Sequence, residues 1–423
     1  MGVCFSSSDA DERPVSTQRR RLTLSQSDAV VHQDTNDHRG LVRQVTRRNL
    51  IDLFPASSRR FSLIGKPADT NQKGFDNKRI EALGGITNVD YRVGYACKKG
   101  LKPESPNQDD FFVIGIDELG MFGVFDGHGP FGHDVSSFCH DALPGLLIKD
   151  EEFYTDPAAA FARAFRDTHL LCEQASAKGK FDCSLSGTTA TVVMTRDETV
   201  YCAWVGDSRA VIATTNADGE VVAEDLSRDH KPERDDEKTR IRSRGGQLSV
   251  AKGAADASPR VRGDPKVRKL EGDIPYRVFL KGKLYPGLAM SRSLGDSIGV
   301  SAGVTYEPEI KIRKIDLARD RFVVLCSDGV WEFISSQGAV DILNRYSVGE
   351  VQKAAEALAQ EAWKRWIQEE GNVVDDITVI VAWLGEESRD RRGKGGSRES
   401  LWWASSVSRP LVSTESHLRW PSE

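Results

Sequence analysis

The middle of the chain carries two hydrophobic rhythms. Short runs rich in β-branched and aromatic residues occur at Phe111 to Gly115, Met121 to Phe125, Thr188 to Met194, Val200 to Val205, Ala210 to Ala213, Phe322 to Cys326 and Ile377 to Trp383. Their length and composition predict strands. A helical rhythm appears at Val351, Ala355, Leu358, Ala362 and Trp366, one stripe punctuated by Gly349 before it and Gly371 after it. Two further helices are predicted, from Asp134 to about Leu147 and from Pro157 to about Ala175. Strands outnumber helices, and several are joined by turns too short for a helical crossover. An α+β fold is expected, with antiparallel sheets and helices packed on them.

The flanks lack either rhythm. Residues 1–85 are rich in Ser, Arg, Asp and Gln, with blocks such as Arg19-Arg20-Arg21 and Ser57-Ser58-Arg59-Arg60, and read as a disordered basic arm. Residues 386–423 read as a polar tail, interrupted by Trp402 and Trp403, which are candidates to dock on the core. The predicted globular domain is therefore 86–385. Charge sharpens this division: residues 1–66 carry +4 and 386–423 carry +1, which leaves −10 for the middle of a chain whose net charge is −5. An acidic middle argues against a nucleic-acid partner and suits a domain that binds cations. No apolar run approaches the ~20 residues a membrane-spanning helix needs. The seven cysteines are scattered without a C-x-x-C pair, which points to a reducing compartment, and no secretory signal opens the chain.

The candidate chemistry sits at strand ends. The run Met121 to Phe125 leads into Asp126-Gly127-His128-Gly129, Phe322 to Ser327 leads into Asp328-Gly329, and Asp375-Asp376 precedes Ile377-Thr378-Val379. Taken alone, each Asp-Gly pair reads as an ordinary turn, and the Asp pair as a solvated strand start. If the strand ends converge, the carboxylates repel one another unless cations neutralise them. Hard oxygen ligands of this kind favour Mg²⁺ or Mn²⁺.

Several short segments follow one another along the chain: Pro106-Asn107-Gln108-Asp109, Phe125-Asp126-Gly127-His128-Gly129, Ser186-Gly187-Thr188-Thr189-Ala190, Gly206-Asp207-Ser208-Arg209, Leu288 through Asp296, Ser327-Asp328-Gly329-Val330-Trp331 and Asp375-Asp376-Ile377-Thr378-Val379. On these segments the chain, over roughly residues 88–385, resembles the protein phosphatase 2C family, the metal-dependent PPM phosphatases. The resemblance implies a four-layer α-β-β-α sandwich, two central antiparallel sheets flanked by helices. It also implies two Mg²⁺ or Mn²⁺ ions per site and a weaker third. Asp126 would bridge the pair, with the Gly127 carbonyl and Asp109 on one ion and Asp328 and Asp375 on the other; Asp207 matches the ligand of the third, with Asp328 and the position of Glu332 alongside. A water bridging the two cations would attack phosphoserine or phosphothreonine directly, and His128 would protonate the departing oxygen.

Three positions depart from the usual family pattern. Glu332 stands where Asp is commoner, and Gln108 where Glu is commoner. Lys98 to Pro106 contains no arginine to grip the phosphate, which leaves Lys102 as the candidate, with Arg92 more distant. The segment Asp229 to Pro286, with its Arg-rich stretch Arg240 to Gly246, resembles the family's helix-and-loop region beside the active site. Its basic residues could steer phosphorylated substrates or simply be solvated. A non-catalytic relative serving as a binding module is the alternative, and retention of Asp109, Asp126, Asp328 and Asp375 argues against it.

Met1-Gly2-Val3-Cys4-Phe5-Ser6 fits the pattern for myristoylation of Gly2, with Cys4 as a palmitoylation candidate. One acyl chain binds membranes marginally, whereas a second chain or a basic segment makes anchoring durable. The expected partners are phosphorylated proteins and the cytosolic face of a membrane, for a cytoplasmic, peripheral and monomeric protein. Thr23 and Ser62, each preceded by Arg residues, resemble basophilic kinase sites.

Overall fold

The apolar runs pair into sheets in the computed structural model, which describes residues 58–384 apart from 59, 70–74, 85–91, 103–104, 118 and 251–275. Gly2, Cys4, Thr23, Trp402 and Trp403 lie outside the described residues. The strands are β1 (Arg60–Gly65), β2 (Ile80–Gly84), β3 (Val93–Lys98), β4 (Asp109–Ile116), β5 (Leu119–His128), β6 (Gly187–Thr188), β7 (Ala190–Arg196), β8 (Thr199–Val205) and β9 (Arg209–Thr215). They continue as β10 (Val221–Asp225), β11 (Gly246–Val250), β12 (Tyr276–Leu280), β13 (Pro286–Leu288), β14 (Leu294–Gly295), β15 (Glu309–Lys314), β16 (Asp320–Cys326) and β17 (Ile377–Trp383). The helices are α1 (Gly132–Ile148), α2 (Pro157–Ala177), α3 (Asp235–Ser243), α4 (Ser297–Ser301), α5 (Asp328–Trp331), α6 (Ser336–Leu343) and α7 (Val351–Glu370).

Two antiparallel sheets dominate, one running β15-β8-β7-β5-β4-β1-β2 and the other β10-β9-β16-β17-β3. Successive side chains of a strand point to opposite faces, and here both faces are covered, so the runs read as continuously apolar. Phe111, Val113, Phe122 and Val124 face Val323, Leu325, Ile380 and Ala382 in a core between the sheets. Their neighbours Phe112, Ile114, Met121 and Phe125 pack against Val135, Leu143, Phe161 and Phe165 of α1 and α2. On the far side Phe322, Val324, Val379 and Val381 pack against Val340, Leu343, Ala355 and Leu358 of α6 and α7. The result is the four-layer α-β-β-α sandwich.

The helix ends follow local chemistry. Asp156 caps α2 by accepting the Ala159 N–H, with Pro157 in the first turn. Gly371, at a φ of 71°, ends α7 in a conformation that side chains disfavour. No helix among the described residues is long and apolar enough to cross a membrane.

The domain boundary expected near residue 85 lies too far along the chain. β1 pairs antiparallel with both β4 and β2, so Arg60–Gly65 and Ile80–Gly84 belong to the larger sheet. Phe61 and Leu63 are buried in the inter-sheet core, and two alternating apolar positions between polar blocks were too few to register as a strand. The kinase-site reading of Ser62 falls with it, since Ser62 is 1% exposed within β1.

Candidate active site

The pairing of β4 with β5 sets Asp109 directly opposite Asp126. Like charges facing each other across a ladder destabilise a sheet, so this register has a purpose other than stability. The second sheet supplies the other half. Asp328 follows the end of β16 as the first residue of α5, and Asp375 lies two residues before β17. Both sheets are tied together at this end, because Ser327 Oγ and Thr378 Oγ1 each donate to Asp109 Oδ2 at 2.7 Å. Asp207 occupies the turn between β8 of one sheet and β9 of the other.

The electrostatics express the crowding. Burial, followed by repulsion from Asp328, Asp109, Asp375 and Asp207, pushes the Asp126 carboxyl well above the ordinary carboxylate range. Burial, and next Asp376, pushes Asp109 up to about 8. Burial together with Asp375 and Asp207 pushes Asp328 up to about 7. Crowding that makes Asp109, Asp126 and Asp328 resist ionisation is relieved by cations. The donors are carboxylate oxygens and the carbonyl of Gly127, the hard set that Mg²⁺ or Mn²⁺ prefers. Gly127 has no room for a side chain, as a Cβ there would lie 2.2 Å from the Gly132 carbonyl oxygen. Asp207 Oδ1 is buried without a hydrogen-bond partner, an acceptor available to a further ion.

Two lysines enter this cluster. Lys102, expected to grip phosphate, sets its ammonium on Asp375 Oδ1. Lys231, in the loop before α3, sets its ammonium on Asp207 Oδ2. Burial works against ionising Asp207, but Lys231 and His128 outweigh it and hold that carboxyl below its ordinary value. Arg92 is remote: its carbonyl accepts from Trp383 at the end of β17 opposite Asp375. Glu332 is exposed at the C-terminal end of α5, where its N–H donates to the Asp328 carbonyl. Gln108 braces the loop, donating from Nε2 to the Gly129 carbonyl at 2.8 Å.

Sequence reasoning assigned no role to two buried acids that complete the site. Asp376 accepts from the backbone N–H groups of Gly100 at 2.7 Å and Gln108 at 2.8 Å, which fixes the approach to Asp109. Asp296 bonds His128 Nε2 at 2.6 Å. Burial opposes charge on the imidazole, but Asp296 outweighs it and raises the pKa of His128 above the ordinary histidine value. Both acids stand inside segments already singled out, so position in a segment was visible but partnership was not. A second group of possible metal ligands, His230, Glu237 and Glu309, is closed by arginines. Arg240 and Arg292 bond Glu237 at 2.6 and 2.7 Å, and Arg234 bonds Glu309 at 2.6 Å. That network anchors α3 to Ser291-Arg292 and β15.

The two-sheet sandwich brings its carboxylates together at one end, and comparison with known proteins gives the class that this fold and site belong to. The family model of protein phosphatase 2C matches residues 107–370. The chain is 34% identical over 348 residues to Probable protein phosphatase 2C 35 of Arabidopsis thaliana, covering 80% of this chain and 97% of that protein. It is also 34% identical over 294 residues to Probable protein phosphatase 2C 61 of the same organism, covering 66% and 81%. Among solved structures, a serine-threonine phosphatase 2C from Toxoplasma gondii shares the fold with a TM-score of 0.55 at 21% identity, over 69% of this chain and 94% of that one. The chain belongs to the protein phosphatase 2C family, and its class is serine/threonine phosphatase.

Proposed function

We propose that this protein hydrolyses phosphoserine and phosphothreonine in proteins with two divalent cations, Mg²⁺ or Mn²⁺, held by Asp109, Asp126, the Gly127 carbonyl, Asp328 and Asp375. The observation that carries this reading is the register of Asp109 against Asp126, with the second sheet bonded to Asp109 through Ser327 and Thr378. Asp207 is the candidate for a weaker third ion. The exposure of Glu332 favours a third site without it.

When bound, the cations supply an activated water and neutralise charge on the phosphoryl oxygens. The protein's own residues do the rest. His128 donates a proton to the leaving serine or threonine oxygen, a step that matters because an alkoxide leaves poorly. Lys102 and Lys231 each reach one carboxylate, Asp375 and Asp207, which sets two ammonium groups at the site where they could meet the substrate phosphate.

The purified protein is expected to hydrolyse a phosphothreonine peptide with Mn²⁺ and to lose that activity in chelator. Undiminished turnover in chelator would rule out the metal-dependent reading, and inactivity with every divalent ion would favour a binding module.

Acylation of Gly2, reinforced by Cys4 and the arginine blocks of the arm, would hold the enzyme at the cytosolic face of a membrane, the second signal making attachment durable. Gly2→Ala is expected to move the protein from the membrane pellet to the soluble fraction. An unchanged pellet fraction removes this part of the proposal.

A further inference from the structure

The most completely built feature around His128 belongs to a residue that is not among the candidate metal ligands. Asp296 has no solvent exposure, yet its backbone adopts the left-handed conformation at a φ of 48°, which costs free energy for a residue with a side chain. It follows Gly295, also left-handed at 85°, whose N–H donates to His169 Nδ1 at 3.2 Å. The Asp296 N–H donates to the Ser186 carbonyl at 2.9 Å. The turn is thus pinned from two directions.

What the turn achieves is the placement of one oxygen. Asp296 Oδ2 accepts from Ser293 Oγ at 2.6 Å and from His128 Nε2 at 2.6 Å. Gly187 allows the approach: a Cβ there would lie 2.2 Å from Asp296 Oδ2 and 2.8 Å from His128 Nε2. The other ring nitrogen, His128 Nδ1, is buried with no partner. A buried polar atom left without a partner needs an explanation, and a substrate oxygen supplies one.

We infer that Asp296 is the positioning residue for His128: by holding Nε2–H it fixes the ring so that Nδ1 is the atom presented to the leaving oxygen of the substrate. The inference rests on the general-acid reading of His128. In the step, the P–O bond to the serine or threonine oxygen breaks, a water oxygen takes its place on phosphorus with one of its protons and releases the other to solvent, and the Nδ1 proton passes to the departing oxygen, to be replaced from solvent before the next turnover. Products are the free hydroxyl side chain and inorganic phosphate, and the neutral imidazole stays bonded to Asp296 through Nε2–H. Orientation of a histidine by a buried carboxylate serves acyl transfer in the same way.

The alternative is that Asp296 merely shapes the turn before α4, and leaving-group dependence separates the two. The full-length protein with Mn²⁺ is assayed on a phosphothreonine peptide and on p-nitrophenyl phosphate, whose nitrophenolate departs without a proton. Asp296→Ala is expected to lower kcat on the peptide by about 10- to 100-fold, up to the low end of what a lost general acid costs because His128 itself remains, with KM little changed and a far smaller loss on p-nitrophenyl phosphate. Asp296→Asn keeps an acceptor oxygen and tolerates the left-handed backbone, so it should recover part of the loss. The double variant with His128→Ala should be no slower on the peptide than His128→Ala alone, because residues acting as one unit are not additive.

Equal losses on both substrates, or a double variant slower than His128→Ala, would make Asp296 structural and overturn the inference. An undiminished Asp296→Ala rate on the peptide would do the same. If His128→Ala itself shows no preference for the better leaving group, the general-acid reading fails and this inference goes with it. Should Asp296→Ala not melt cooperatively, Asp296→Asn carries the comparison, with a loss expected on the peptide and not on p-nitrophenyl phosphate, smaller than that of His128→Ala.

Discussion

Asp328→Asn is expected to lower kcat/KM on a phosphothreonine peptide by at least about 100-fold in Mn²⁺, the low end of what losing one electrostatic stabiliser costs. It is also expected to melt at a higher temperature than the natural sequence when chelator is present. The second effect has the opposite sign because the cluster is organised around charges that the cation-free protein must tolerate. Asp109 and Asp328 have folded-state pKa values raised to about 8 and about 7, against an ordinary value of 3.8. Between those limits the folded protein binds more protons than the unfolded chain, so the stability of the cation-free protein falls as pH rises through that window. Replacing Asp328 by a neutral isostere removes one source of the repulsion and flattens the fall. Mn²⁺ should reverse the ranking, stabilising the natural sequence more than the variant. Differential melting at several pH values, with metal and with chelator, checks both signs. A variant that melts lower than the natural sequence in chelator at pH 8 would show that Lys102 and Lys231 already neutralise the cluster.

The acids of this cluster were legible because each follows or precedes a strongly apolar strand, and strands carry a period that survives in a single sequence. Asp126, Asp328 and Asp375 are placed by that rule, and Asp109 by the ordered segments around it. Partnerships across long separations were not legible. Asp296 meets His128 across 168 positions, and nothing local to either residue signals the other. Lys231, within Asp229-His230-Lys231-Pro232, reads as a turn residue until Asp207 is set beside it. Lys102 was given an anion to hold because its charge was visible, whereas the carboxylate at Asp375 that it meets depends on how the two sheets pack.

A chain beginning at residue 86, where the pattern of polar blocks put the boundary, is expected to lose cooperative unfolding or to melt far below one beginning at residue 58. The reason lies under Asp109. Lys78 is 4% exposed and Asp110 not at all; Lys78 Nζ donates to Asp110 Oδ2 at 2.8 Å and to the Asp109 carbonyl at 2.6 Å. His140 Nδ1 lies 3.4 Å from the same Asp110 oxygen. Burial works against the charge of Lys78, but its neighbours, Asp110 first, outweigh burial and raise the pKa of the lysine. Removing one partner of a buried pair leaves the other uncompensated and costs about 3–5 kcal/mol. Loss of β1 adds the burial of Phe61 and Leu63, about 1.5–3 kcal/mol each, and turns β4, the strand that carries Asp109, into an open edge. The ion pair can be isolated in the full chain: Lys78→Met should cost about 3–5 kcal/mol in denaturant unfolding, and adding Asp110→Asn should recover part of it by removing the stranded charge. If Lys78→Met alone is neutral, the N-terminal strands are held by their apolar residues, and Lys78 contributes nothing to the placement of Asp109.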